Sequence, residues 1–177
     1  MVARYIAGSI VVILAKVLVY ITAPLLALFV TTRNGREYLA KPLYWLQTHD
    51  APLDEYYYGG YYKGKWTERF KSSKYLMRIC WLWRNPAYGV AHKLGYDQRG
   101  MELVKHKDEM MLRNTGQPNF SYFTATNSKK QRGFMYFAQL QYSKHRCVEL
   151  YFGYKLLRKD PDKRCMLVVR IKPFKRV

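Results

Sequence analysis

Residues 5–30, YIAGSIVVILAKVLVYITAPLLALFV, form an apolar run of twenty-six residues without an acidic group, interrupted by one charge, Lys16, and one proline, Pro24. A helix rises about 1.5 Å per residue, so roughly 20 apolar residues cross about 30 Å of hydrocarbon, and this run is long enough to span. Lys16 falls near its middle, where inserting a lysine costs roughly 2.5 to 3.5 kcal/mol. The long flanks, residues 5–15 and 17–30, can offset that cost, with the lysine snorkelling or facing a partner helix. The expectation is a retained single-pass anchor over residues 1–32, with Tyr5, Ile10, Ile13, Lys16, Val19, Leu25 and Phe29 as its anchoring residues. A helical hairpin or an interfacial helix bent near Pro24 is the alternative, and a buried helix of a soluble domain a further one. A cleaved leader is disfavoured, because the run continues for fifteen residues beyond any short apolar region ending near Ala15.

The flanks set an orientation. Only Arg4 precedes the run, whereas Arg33, Arg36 and Lys41 follow it against a single Glu37. Positive flanks stay on the cytoplasmic side, which predicts an outside N-terminus and a cytoplasmic body. Cys80, Cys147 and Cys165 are odd in number and widely spaced, which suits buried thiols better than a disulfide framework or a zinc site.

The chain carries a formal net charge of +19, of which residues 1–32 hold only Arg4 and Lys16, leaving +17 on the body. Such a field attracts nucleic acid or anionic headgroups. Tethering favours the headgroups, since each Lys or Arg near a negative leaflet is worth about 1 kcal/mol.

Residues 33–100 read as a loop-rich connector with a short amphipathic helix. Asn34 and Gly35 mark a break, residues 51–54 (APLD) a turn, and the glycines inside EYYYGGYYKGKW argue against a long helix there. Tyr44, Trp45, the tyrosines at 56–62 and Trp66 suit a segment lying at headgroup level, and equally suit packing on the domain or base stacking. ERFKSSKYLMRICWLW, residues 68–83, has helical spacing. Phe70, Tyr75, Met77 or Leu76, Ile79, Cys80 and Trp83 approximate an apolar stripe, Lys71, Lys74, Arg78 and Arg84 a basic side, and Ser72 or Ser73 a cap. The stripe is expected to cover a sheet. Candidate interface residues are Tyr57, Tyr61, Trp66, Lys71, Lys74, Arg78, Trp81, Trp83 and Arg84.

WLWRNPAYGVAHKLGYD, residues 81–97, stops the helix at Asn85 and Pro86. With LQTHDAPLDE at 46–55, this stretch resembles small uncharacterised proteins of tailed bacteriophages, in which a tryptophan segment leads into an Arg-Asn-Pro turn. The resemblance covers about a third of the chain. It implies a viral origin and a shared fold, and it carries no catalytic residues over.

From residue 101 onward the texture is β: GMELVKHKD, FSYFTAT, RGFMYFAQLQYS, RCVELYFGYKLLR and RCMLVVRIK alternate with turn residues. SKHR at 143–146 and KDPDK at 159–163 are expected to link successive antiparallel strands, and Gly153 marks a bulge or a close approach. The predicted fold is α+β: an N-terminal membrane helix, then a basic domain with a four- or five-stranded antiparallel sheet and one or two covering helices, the β domain over 101–177.

Chemistry is weakly signalled. His49, Asp50, Asp54 and Glu55 are the densest titratable cluster, with His92 and His106 elsewhere, yet no HExxH, Walker, nucleophile-elbow or dinucleotide motif is present. No catalytic residue, metal or cofactor is assigned. The expected function is a membrane-anchored, basic interaction module at the host inner membrane, with anionic headgroups and a host membrane protein as partners. A membrane-tethered nucleic-acid binder is the alternative, and an enzyme using the acids at 50–55 a more remote one.

Overall fold

A computed structural model describes residues 2–108, 120–155 and 164–176. The chain begins with α1 (Val2–Leu26), continues through a hairpin of β1 (Val30–Arg33) and β2 (Arg36–Leu39), then α2 (Glu55–Tyr58), α3 (Lys74–Arg84) and α4 (Tyr88–Lys93). It ends in β3 (Tyr96–Asp97), β4 (Glu102–Asp108), β5 (Phe120–Thr126), β6 (Arg132–Ser143), β7 (Arg146–Tyr154), β8 (Arg164–Cys165) and β9 (Leu167–Arg176). This is an α+β fold with an N-terminal apolar helix, as the sequence leads one to expect. Two compact units are present, one of residues Ile10–Lys93, the other of Met1–Ser9 with Leu94–Val177.

In the first of these units, Asn34 (φ 50°) and Gly35 (φ 72°) do more than break the chain. Both occupy the left-handed region that a two-residue hairpin turn requires, and they pair Arg33 with Arg36 and Val30 with Leu39. Gln47, fully buried, fastens this hairpin to the next loop: its Oε1 accepts from Leu39 N at 2.6 Å, and its Nε2 donates to Thr48 O and Ala51 O, both at 3.3 Å. The core collects Val19, Ala23 and Leu26 of α1 and the following Ala27, Leu39, Leu53, Tyr56, and Met77, Ile79, Cys80, Trp81 and Leu82 of α3.

Ser73 is the cap of α3, accepting from Leu76 N at 3.3 Å, while residues 66–70 form a separate 3-10 turn. Starting at Lys74, the helix turns Trp81 inward, 5 % exposed, and leaves Trp83 at 38 %. This corrects the stripe anticipated above, in which Trp83 was the buried tryptophan. The buried residues of the helix join α1, Leu39, Leu53 and Tyr56 in the core of the unit of residues 10–93.

The other unit is built on an antiparallel sheet in the order β4-β5-β6-β7-β9, beside a two-residue ladder of β3 with β8. The expected SKHR turn closes β6 on β7, Ser143 opposite Arg146, and β7 pairs antiparallel with β9. KDPDK lies outside the described residues. The first turns of α1 take the covering role: Tyr5 packs edge-on to Phe134 at 4.9 Å and donates from Oη to Val168 O at 2.9 Å. Gly8 leaves room for the sheet, since a Cβ there would stand 2.7 Å from Leu167 Cδ1. Gly153 adopts φ 97°, where the sequence suggests a bulge or close approach.

Candidate membrane-interface site

The helix α1 is long and apolar enough to cross a membrane. Its polar groups are settled internally or by neighbours. Ser9 Oγ donates to Tyr5 O and Thr22 Oγ1 to Leu18 O, each at 2.7 Å. Pro24 has no N–H to offer the carbonyl of Tyr20, four residues back, and Trp83 Nε1 donates to that oxygen at 3.1 Å. Two further donors reach its last turns: Tyr75 Oη to Pro24 O at 2.9 Å and Arg78 Nη1 to Ala27 O at 3.4 Å. Helix α3 therefore supplies the hydrogen bonds that the proline and the helix end leave unmade.

One face of α1 is buried, through Val12, Val19, Ala23 and Leu26, and Ala27 just beyond it is buried too. The other is exposed and equally apolar. Val11, Leu14, Leu18, Ile21, Leu25 and Leu28 recur at spacings of three and four, with Ile10, Ile13, Val17 and Tyr20 beside them, and Ile21 reaches 74 % exposure. Side chains at that spacing share one helix face. Of the anchoring residues predicted from sequence, Ile10, Ile13, Leu25 and Phe29 lie on exposed surface, Lys16 and Tyr5 are half-buried, and Val19 is in the core. The sequence could not select this face, because α1 is apolar on every side.

Within the unit of residues 10–93 the aromatic and basic residues meet in pairs. Arg84 lies over Tyr61 at 4.7 Å, Trp81 at 5.4 Å and Tyr56 at 5.9 Å. Lys74 lies over Tyr57 and Tyr58 and donates to Tyr58 Oη at 3.1 Å; that hydrogen bond, with the nearby Tyr58 hydroxyl and the Glu37 charge, raises its pKa. Arg69 lies over Phe70 at 4.9 Å and Trp66 at 5.4 Å, and Lys93 over Trp45 at 4.2 Å. Trp45, Tyr58, Tyr61 and Trp66 are exposed, as are Lys71, Lys74 and Arg84, while Tyr57 is half-buried. Rings with water-facing tips beside cations are the side chains that headgroups accommodate. Trp45 and Tyr58 belong to the aromatic set that the sequence placed at headgroup level, whereas Arg69 was not singled out there. Two that were have other work: Trp81 is core, and Arg78 grips Glu37 with two bonds of 2.7 Å. That grip, ahead of the opposing effect of burial, holds the Glu37 carboxyl below its ordinary range. Asn85 caps α3, donating from its N to Trp81 O at 3.0 Å, and Pro86 is buried.

Of the acidic cluster, Asp54 and Glu55 are committed to structure, while Asp50 is exposed. Asp54, 2 % exposed, accepts from Arg36 Nε at 3.0 Å, and Glu55 accepts from Arg36 Nη2 at 2.7 Å. Among the described residues no three His, Cys, Asp or Glu side chains gather as metal ligands. The three cysteines are free and buried. The side chain of His106 lies outside the described residues.

With this geometry in place, the chain can be set against known proteins. It belongs to a family of unknown function, DUF7338, which matches residues 1–177. No curated protein and no solved structure matches it. The family match thus spans both units and α1 without bringing a chemistry of its own.

His49 stacks on His92 with ring centroids 3.7 Å apart, and burial lowers the His49 pKa despite nearby Asp50. A histidine whose folded pKa is depressed binds its proton more readily in the unfolded chain. Its contribution to stability is therefore complete above the ordinary value of 6.5 and declines as the pH falls below it. His49→Phe, which keeps a ring on His92, is expected to flatten the decline of the urea midpoint between about pH 6.5 and 5. A midpoint that falls with pH as steeply as in the wild type would assign that decline elsewhere.

Proposed function

We propose that this chain is a membrane-associated, strongly basic interaction module. The observation that carries the reading is the exposed apolar face of α1, larger than the isolated apolar side chains a soluble surface normally leaves in water. The net charge of +19 and the exposed Trp45, Trp66, Tyr58 and Tyr61 beside Lys and Arg supply the electrostatic and interfacial complement. The basic residues that follow α1, Arg33, Arg36 and Lys41, favour a body on the cytoplasmic side. The sequence resemblance to tailed-phage proteins supports an infected host's membrane as the setting, with a host membrane protein as partner.

Flotation of the full-length protein on vesicles tests this. At about 0.15 M salt, binding is expected to vesicles with about a third phosphatidylglycerol, and to persist in an excess of duplex DNA. Exchange onto DNA with steep salt dependence would instead favour the nucleic-acid reading. Leu14→Glu with Ile21→Glu alters two side chains exposed at 63 % and 74 %, so the fold is expected to survive. Vesicle affinity should fall at least about tenfold, since two carboxylates in hydrocarbon cost more than the roughly 1.4 kcal/mol that a decade requires. Unchanged affinity would remove α1 from the reading.

A further inference from the structure

How α1 is held toward its end bears on its path through the bilayer. Within the unit of residues 10–93, Trp83 donates to Tyr20 O, Tyr75 to Pro24 O and Arg78 to Ala27 O. Val19, Ala23, Leu26 and the following Ala27 pack in one core with Met77, Ile79, Cys80, Trp81 and Leu82. The polar chain that follows α1 thus lies along the helix from Val19 onward, and that stretch cannot stand in hydrocarbon on all sides. What remains of the helix, Val2 to Leu18, is roughly 26 Å long, short of the about 30 Å of a hydrocarbon core. Within that remainder Val12 is itself fully buried.

We infer that α1 lies in the plane of the membrane, with Val11, Leu14, Leu18, Ile21, Leu25 and Leu28 set into the acyl chains of an anionic leaflet. This rests on the membrane association proposed above and assigns its mode. An ordinary in-plane helix turns a polar face to water. Here the protein itself covers that face, which explains how a helix apolar all round lies flat. The occupant of the exposed stripe is lipid rather than a second copy because residues 1–36 contain no acid, and pairing through the stripe would bring together two chains of +19. Tyr20, exposed on the helix, and Trp83, bonded to its carbonyl, place amphipathic rings beside the stripe, as headgroup level requires.

Spin labels on the full-length protein test the mode. Single cysteines replace Val11, Leu14, Leu18, Ile21, Leu25 or Leu28 in turn, with the unsubstituted protein, whose cysteines are buried, measuring background. Depth is read on phosphatidylglycerol–phosphatidylethanolamine vesicles from collisions with oxygen and with a water-soluble nickel chelate. All six labels are expected at one shallow level, about 5–10 Å below the headgroups. A depth that peaks near residues 14–18 and falls toward both ends would mean a span, overturning the in-plane assignment while leaving membrane association intact. Spin–spin broadening with no oxygen preference would mean that a second copy covers the stripe, which also overturns it. Labels that remain in water on protein that does not float would overturn the membrane reading itself.

Discussion

Gly153→Ala is expected to destabilise the sheet by about 2–6 kcal/mol. Two independent effects add. Gly153 holds φ 97°, a conformation costing an L-residue about 1–3 kcal/mol, and a Cβ built there would stand 2.2 Å from the carbonyl oxygen of Phe134 on the neighbouring strand. Backbone cannot swing aside as a side chain can, so relieving that overlap shifts β6 against β7 at a typical further cost of about 1–3 kcal/mol. Gly35→Ala is the matched control: φ is 72° there too, but no atom lies within 4 Å of the added carbon, so only the conformational cost remains. Thermal unfolding followed by circular dichroism should rank the two, Gly153→Ala far below Gly35→Ala. Equal midpoints would mean that the close approach at Gly153 relaxes without cost.

The second large effect is at Glu149. This carboxylate is 3 % exposed and meets Lys175, Arg170 at 3.5 Å and Lys172 at 3.9 Å, while Gln139 Nε2 donates to it at 3.3 Å. Burial alone would push its pKa up, yet the Lys175 hydrogen bond, the cationic charges and Gln139 together bring it below the ordinary value of 4.5. Glu149→Ala takes away the counter-charge of three cations and strands the buried amide of Gln139. Losing one partner of a buried pair costs about 3–5 kcal/mol, and the partial exposure of Arg170 and Lys172 argues for the lower end. The sign with pH follows from the depressed carboxyl: its stabilisation is present above about 4.5 and is lost as the pH falls through the folded value. Urea midpoints of Glu149→Gln should therefore lie well below wild type at pH 7 and converge on it under acid. A constant gap between the two would show that the charge of Glu149 is not what matters.

Both of these positions bear on what the sequence discloses. Gly153 is legible, because a glycine among aromatic and branched residues has few other reasons to be there. Glu149 is not, because its partners lie twenty-one to twenty-six residues away on β9 and depend on the pairing register. The strands themselves were readable from period-two alternation, and the serine cap from its position ahead of a helical repeat, with Ser72 and Ser73 left as alternatives. The hairpin signal Asn34-Gly35 was present, flanked by VTTR and REYL, though it reads as a simple break when a membrane anchor is expected to end beside it. The exposed face of α1 was beyond reach for a physical reason. Amphipathicity marks a buried face by contrast with polar residues, and a helix without that contrast keeps its orientation hidden until its neighbours are known.

One detail of β9 bears on how copies of this protein tolerate one another. Where Cys147 pairs with Lys175 and Glu149 with Lys172, the single residue Val148 faces two, Pro173 and Phe174. That extra residue kinks an outer strand of the described sheet, and its proline withholds a donor from any incoming chain. Arg170, Lys172, Lys175 and Arg176 line the same strand. A sheet margin with these properties is a poor template for strand addition. Proteins gathered on a surface collide far more often than proteins in bulk, and the commonest accident of such crowding among β-rich chains is edge-to-edge polymerisation. Under the membrane association proposed above, the bulged, cationic margin of β9 disfavours edge-to-edge fusion between neighbouring copies.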